Sequence, residues 1–126
     1  MEKKPIQSYR DLVVWQKGMD LAAACYRLTK SFPREELYGM TSQIRRAAAS
    51  VPANIAEGHG REHRNEFVRF LQIAQGSLKE VETHLILAAR VQLTTEVEIQ
   101  PILEQCDQLG RQLHALIRSL QREVVK

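Results

Sequence analysis

The chain has 126 residues, enough for one domain with a real core and too few for two. Apolar residues are 44% and charged residues 26% of it, which excludes a disordered polyelectrolyte. Six glycines and four prolines are few for a sheet protein that must turn often, so composition points to an all-α fold.

The formal net charge of +3 is unevenly placed. Residues 1–70 hold 12 Lys or Arg against 8 Asp or Glu, a net +4, and residues 71–126 are net −1. That mild asymmetry is compatible with a polyanionic partner. No apolar run approaches the ~18 residues needed to span a bilayer, and no apolar signal core follows Met1-Glu2-Lys3-Lys4-Pro5. Cys25 and Cys106 sit within apolar helical patterns, without metal-ligand spacing, and read as buried reduced thiols of a cytoplasmic protein.

Taken in order, residues 1–7 read as a loose lead-in, residues 8–122 as the folded domain and residues 123–126 as a fraying end. Ser8 and Asp11 form a capping box, so the first helix is expected from about Tyr9 to Ser31, ended by Pro33. It carries two apolar stripes. Leu12, Trp15, Met19, Ala22 and Tyr26 make one, and Val14, Leu21, Cys25, Leu28 and Phe32 the other. So broad an apolar arc must pack on more than one neighbour. A connector with one helical turn at Arg34–Leu37 ends at Gly39, and Thr41 or Ser42 is expected to cap the second helix.

On that second helix Ile44, Ala47, Ala48, Val51, Ile55 and Gly58 share one face, and Ala49, Pro52, Ala53 and Ala56 make a second face of small residues. Pro52 removes a backbone donor and crowds the carbonyl of Ala48, at a cost of roughly 3 kcal/mol against alanine. The apolar period continues past it, so a kinked single helix is expected. Ser50 and Asn54 are candidates to satisfy the freed carbonyl. Gly58-His59-Gly60 reads as the turn, with either glycine left-handed.

The third helix is expected from about Glu62 to Val91, with Phe67, Phe70, Leu71, Ala74, Leu78, Val81, Leu85 and Ala89 on one face. Gly76 lies opposite that face, where a close neighbour would account for it. Thr95 and Glu98 form a second capping box that starts the fourth helix at Glu96. Ile99, Ile102, Cys106, Leu109, Leu113, Leu116 and Leu120 run along it in three-four spacing. Four such helices with short links bury their stripes most simply as an up-down-up-down antiparallel four-helix bundle. The surplus stripe on helix 1 and the alanine face of helix 2 predict self-association into a homo-oligomer.

The string Val13-Val14-Trp15-Gln16, the run Tyr38-Gly39-Met40-Thr41-Ser42-Gln43-Ile44-Arg45-Arg46-Ala47, the run Pro52-Ala53-Asn54-Ile55-Ala56-Glu57-Gly58 and the run Leu71-Gln72-Ile73-Ala74-Gln75-Gly76-Ser77-Leu78 resemble the bacterial four-helix bundle family. That family was named for proteins encoded in intervening sequences of 23S ribosomal RNA genes. The resemblance implies a cytoplasmic bundle without known enzymatic activity. It also implies kinship with the accessory variability determinant proteins of diversity-generating retroelements, which form basic pentamers that bind nucleic acid and a reverse transcriptase. A pentamer, an RNA or DNA ligand and a reverse-transcriptase partner are therefore expectations from resemblance alone.

Among candidate site residues, Arg46, Arg61, Arg64 and Arg69 could contact phosphates, because a guanidinium grips phosphate bidentately and stays charged, while Arg61, Arg64 and Arg69 equally fit a plain solvated helix face whose charge Glu62 and Glu66 dilute. Arg45 flanks the apolar face and is expected to pair with Glu80 or Glu82 across the bundle. Trp15, Ala49, Pro52, Ala53, Ala56 and Gly76 are candidates for packing or for an oligomer interface. His59, Glu62 and His63 read as a surface turn and not as a metal site, since the order of a zinc peptidase is missing. No nucleophile has a legible base and no glycine-rich phosphate loop is present, so neither a cofactor nor catalysis is expected.

Overall fold

A computed structural model describes residues 5–125, with side chains through Arg122. The lead-in expected over residues 1–7 and the fraying expected over residues 123–126 fall partly outside the described residues. Four helices make the domain: α1 (Val13–Thr29), α2 (Met40–Gly60), α3 (Arg64–Arg90) and α4 (Glu96–Val125). Contacts run α1 to α2, α2 to α3, α3 to α4 and α4 back to α1, with no diagonal pairing among the described residues. The bundle is therefore a square of antiparallel neighbours, as short links between amphipathic helices require. None of its helices is long and apolar enough to cross a membrane, among the described residues.

The core is one cluster drawn from all four helices, with Leu21, Ile44, Leu71, Leu85, Leu109 and Leu113 at its centre. The sequence stripes find their places with small shifts. Ala88 and not Ala89 is fully buried on α3, and Ile117 joins the seam of α4 while Leu116 and Leu120 are half-buried.

The ends of the helices differ more. Ser8 and Asp11 do form a capping box, but it caps a single 3-10 turn at Tyr9–Asp11. Leu12 is then extended (ψ 128°) and α1 begins only at Val13. Neither Thr41 nor Ser42 caps α2; the Met40 N–H donates instead to Glu36 Oε1 at 3.0 Å. Thr95 behaves as expected, accepting from the Glu98 N–H at 3.1 Å.

α2 runs through Pro52 as one helix. Ser50 and Asn54 do not serve the carbonyl of Ala48: Ser50 Oγ donates to the carbonyl of Ala47 and the Asn54 amide to that of Ser50, both at 2.7 Å. The glycines after it are not left-handed either. α2 continues to Gly60, and Glu62 takes the positive φ of 65° that turns the chain into α3. Gly58 is present for space: a Cβ there would lie 2.6 Å from Phe70 Cβ, so it lets α2 and α3 close on each other. Gly18 of α1 packs against Pro52 less tightly, since a Cβ there would sit in ordinary contact with it at 3.4 Å.

Candidate nucleic-acid interface

Two surfaces carry the sequence-predicted residues. The first lies between α1 and α2, where the Trp15 stripe meets the small-residue face. Trp15, Met19, Ala22, Tyr26, Ala49, Pro52, Ala53 and Ala56 line a groove of about 460 Å³. Met19 and Tyr26 stay 45% and 44% exposed, so among the described residues nothing covers this part of the stripe, while Trp15 and Ala22 are half-buried against the core. Trp15 is half-buried and meets the Tyr9 ring edge-on, with centroids 5.3 Å apart. Pro52 itself is buried against α1, while Ala49 and Ala53 are exposed.

Arg45 sits at the edge of this face, and its expected partner was wrong. Its Nε donates to Thr29 Oγ1 at 2.8 Å, and the guanidinium carbon lies 4.6 Å from the Tyr26 ring centroid. Thr29 is buried and donates in turn to the carbonyl of Cys25 at 2.8 Å. Position 45 faces α1 and not α3, so Glu80 and Glu82 are out of play; Glu82 pairs with Lys79 at 3.1 Å.

The second surface is the end of the bundle where α2 turns into α3. Here Arg61, the residue just past the end of α2, and Arg69 of α3 converge on one ring. Their guanidinium carbons lie 5.2 and 4.6 Å from the centroid of Phe70. Stacking on a ring holds a guanidinium in place while leaving donors outward. Each also meets a carboxylate: Arg61 with Glu57 at 3.5 Å and Arg69 with Glu66 at 3.1 Å. These are exposed pairs one helical turn apart, a class whose strength is slight and salt-screened. Arg64 is exposed at the start of α3, beside a recess lined by His59, His63 and Phe67. His59 packs edge-on against Phe67, at 5.6 Å between centroids, within the last turn of α2 and not outside the helix. Among the described residues no group of three or more potential metal ligands is assembled.

Arg46 does not join this end. It is exposed on α2, fifteen residues before Arg61, or about 22 Å along the axis at 1.5 Å per residue. In its place the fold brings residues that the sequence pattern did not single out. Leu120 of α4 lines the same recess as His59 and Arg64, which brings the last turns of α4 level with this link, with Arg118 and Arg122 on the far side of that helix from Leu120. The signal lay in the topology: in an up-down bundle the last turns of the fourth helix lie beside the link between the second and third. The arginines at the link are thus Arg61, Arg64 and Arg69, beside Glu57, Glu62 and Glu66, while Arg118 lines the α3–α4 side of the bundle.

Both thiols are buried, Cys25 and Cys106, and burial pushes each up to about 12. A thiol so placed is inert at neutral pH.

The fold and these surfaces define a helical bundle with an uncovered apolar face and an arginine-rich end. The sequence profile of the 23S rRNA-intervening sequence proteins matches residues 10–115, and the chain belongs to that family. It is also similar to a crystal structure of a protein of unknown function from the S23 ribosomal protein family of Bacteroides thetaiotaomicron. That likeness has a TM-score of 0.74 at 26% identity, covering 83% of this chain and 98% of the other. No curated protein matches the chain.

Proposed function

We propose that this protein is a non-catalytic cytoplasmic accessory protein that self-assembles and binds RNA or DNA through its arginine end. The observation that carries the reading is the pair Arg61 and Arg69 fixed on Phe70 from just past α2 and from α3. Pre-positioned guanidinium groups lose little freedom when they meet a phosphate, and the exposed Arg64 adds to the cationic surface at the same link. Glu57 and Glu66 compete only as exposed partners, which a polyanion can displace. The α1–α2 groove supports assembly, since an apolar face of this kind is normally covered by protein. Repeating the arginine end in several copies multiplies the contacts to one polyanion.

The test is binding of a labelled RNA or DNA duplex at low salt, with Arg61→Glu/Arg69→Glu beside the wild type. Binding that weakens with salt and is lost in the variant supports the reading. An absence of binding at low salt overturns it and leaves an interaction scaffold, a second reading that the uncovered α1–α2 groove favours by itself.

A further inference from the structure

The face opposite the α1–α2 groove carries a second depression, of about 600 Å³, between α3 and α4. Leu78 and Cys106 make its floor, both buried. Gly76 and Gly110 open its walls. Unlike Gly58, these two glycines are not there for close packing. A Cβ at Gly76 would meet nothing within 4 Å, and one at Gly110 would meet only Leu78 Cδ1, at 3.9 Å. The close neighbour expected at Gly76 is absent; the residue borders open space.

The rim is mainly basic, with Asp107 as its one acid among the lining residues. Arg111, His114 and Arg118 follow one stripe of α4 at three-four spacing, and Lys79 faces them from α3. Arg111 meets Asp107 at 2.7 Å and Lys79 meets Glu82 at 3.1 Å, both as helical near-neighbours, with Arg111 and Lys79 largely exposed. His114 and Arg118 make no ion pair among the described residues. One turn beyond Arg118 the stripe reaches Arg122, level with the arginine end. From Arg111 to Arg122 it spans about 16 Å of helix.

We infer that the α3–α4 groove is a nucleotide subsite, in which an unpaired base enters over Gly76 and Gly110 against Leu78 and Cys106 while its phosphate rests on the Arg111–Arg118 stripe. This rests on the nucleic-acid reading of the arginine end, towards whose level the stripe runs along α4. The size lies within the 300–1,000 Å³ typical of small-ligand sites. An apolar floor under a cationic rim matches a nucleotide, which has a flat, weakly solvated base joined to an anion. A duplex keeps its bases paired and does not fill the groove. Guanidinium groups spaced along about 16 Å of α4 beside an apolar recess favour a strand, with its regular phosphates and flat bases, over an acidic protein helix.

The experiment is fluorescence anisotropy at low salt with a labelled 12-nucleotide thymidine strand, a labelled 12-base-pair duplex and thymidine monophosphate as competitor. The variants are Gly76→Phe, which fills open space, and Arg111→Gln/Arg118→Gln, each checked for unchanged helical circular dichroism. We expect each variant to weaken the single strand by about tenfold, with Gly76→Phe leaving the duplex within about twofold. Competition by thymidine monophosphate at concentrations equal to the strand assigns the same groove to free nucleotides. If the wild type binds both nucleic acids and neither variant loses single-strand affinity, the subsite is overturned and the arginine end stands. Failure of the wild type to bind either overturns both.

Discussion

Gly58 and Gly76 both interrupt helical sequence, and only their surroundings tell them apart. At Gly58 a methyl group would be driven to 2.6 Å from Phe70 Cβ, an atom next to the backbone that cannot swing away. Overpacking of that kind costs about 1–3 kcal/mol, partly offset by the better helix propensity of alanine. Gly58→Ala is therefore expected to lower stability by about 1–2 kcal/mol, read as a lower urea midpoint. Gly76→Ala meets nothing and is expected to raise stability by about 0.5–1 kcal/mol. If both substitutions move the midpoint the same way, the close approach of α2 and α3 at Gly58 is misassigned.

The cysteines give a second prediction at this scale. Their thiols are pushed up to about 12 by burial, with Glu82 and Cys25 adding to the effect at Cys106. At pH 8 the thiolate fraction of each is then roughly one in ten thousand. Iodoacetamide should label the native protein at the rate of unfolding and label it quickly in urea. Because the folded values lie above the unfolded value near 9, this contribution to stability is whole below pH 9 and is lost as pH climbs towards 12. Fast native labelling at pH 8 would contradict the buried placement.

At the scale of the element, α1 and α2 show what a sequence pattern can and cannot carry. Period and stripe placed every helix, because a core-facing stripe must recur at 3.6 residues whatever it packs against. The ends were less legible. Ser8 and Asp11 satisfy the chemistry of a capping box, yet they start only one 3-10 turn, since Leu12 leaves helical geometry before α1 begins. The glycines after Ile55 looked like a left-handed stop, but the close packing of Phe70 explains Gly58, and the turn falls on Glu62. Side-chain partners were the least legible. Arg45 lies where helix phase alone allows either neighbour, and only the arrangement of helices sends it to Thr29 and Tyr26.

The surplus stripe on α1, by contrast, was readable, and it remains uncovered as the groove with Ala49, Pro52, Ala53 and Ala56. Ala53→Glu places a charge on that exposed wall without touching the core. Sedimentation velocity at micromolar concentration should show the wild type above 14.5 kDa and the variant shifted towards monomer. A wild type that sediments only as a 14.5 kDa monomer would contradict assembly through this face.

For the whole molecule, a net charge of +3 describes the chain poorly. Counted along the sequence, the basic half is residues 1–70, and α4 belongs to the slightly acidic remainder. The bundle redistributes this by returning the last turns of α4 to the level of the α2–α3 link, so that Arg118 on the α3–α4 side lies at the same end as Arg61, Arg64 and Arg69. Arg46 is left about 22 Å away on the same helix as Arg61. No reading of charge by segment could see this, because the surface comes from antiparallel order and not from any one run of residues.

The most direct measurement of the central claim is the salt dependence of duplex binding by the wild type and by Arg61→Glu/Arg69→Glu. Each phosphate contact contributes a slope of about 0.9 in log affinity against log salt on duplex DNA. The wild type is expected to lose affinity steeply as salt rises, and the variant to bind weakly with a slope shallower by roughly 2. Equal slopes and affinities in the two proteins, or no binding by the wild type at the lowest salt, would contradict the assignment of the arginine end.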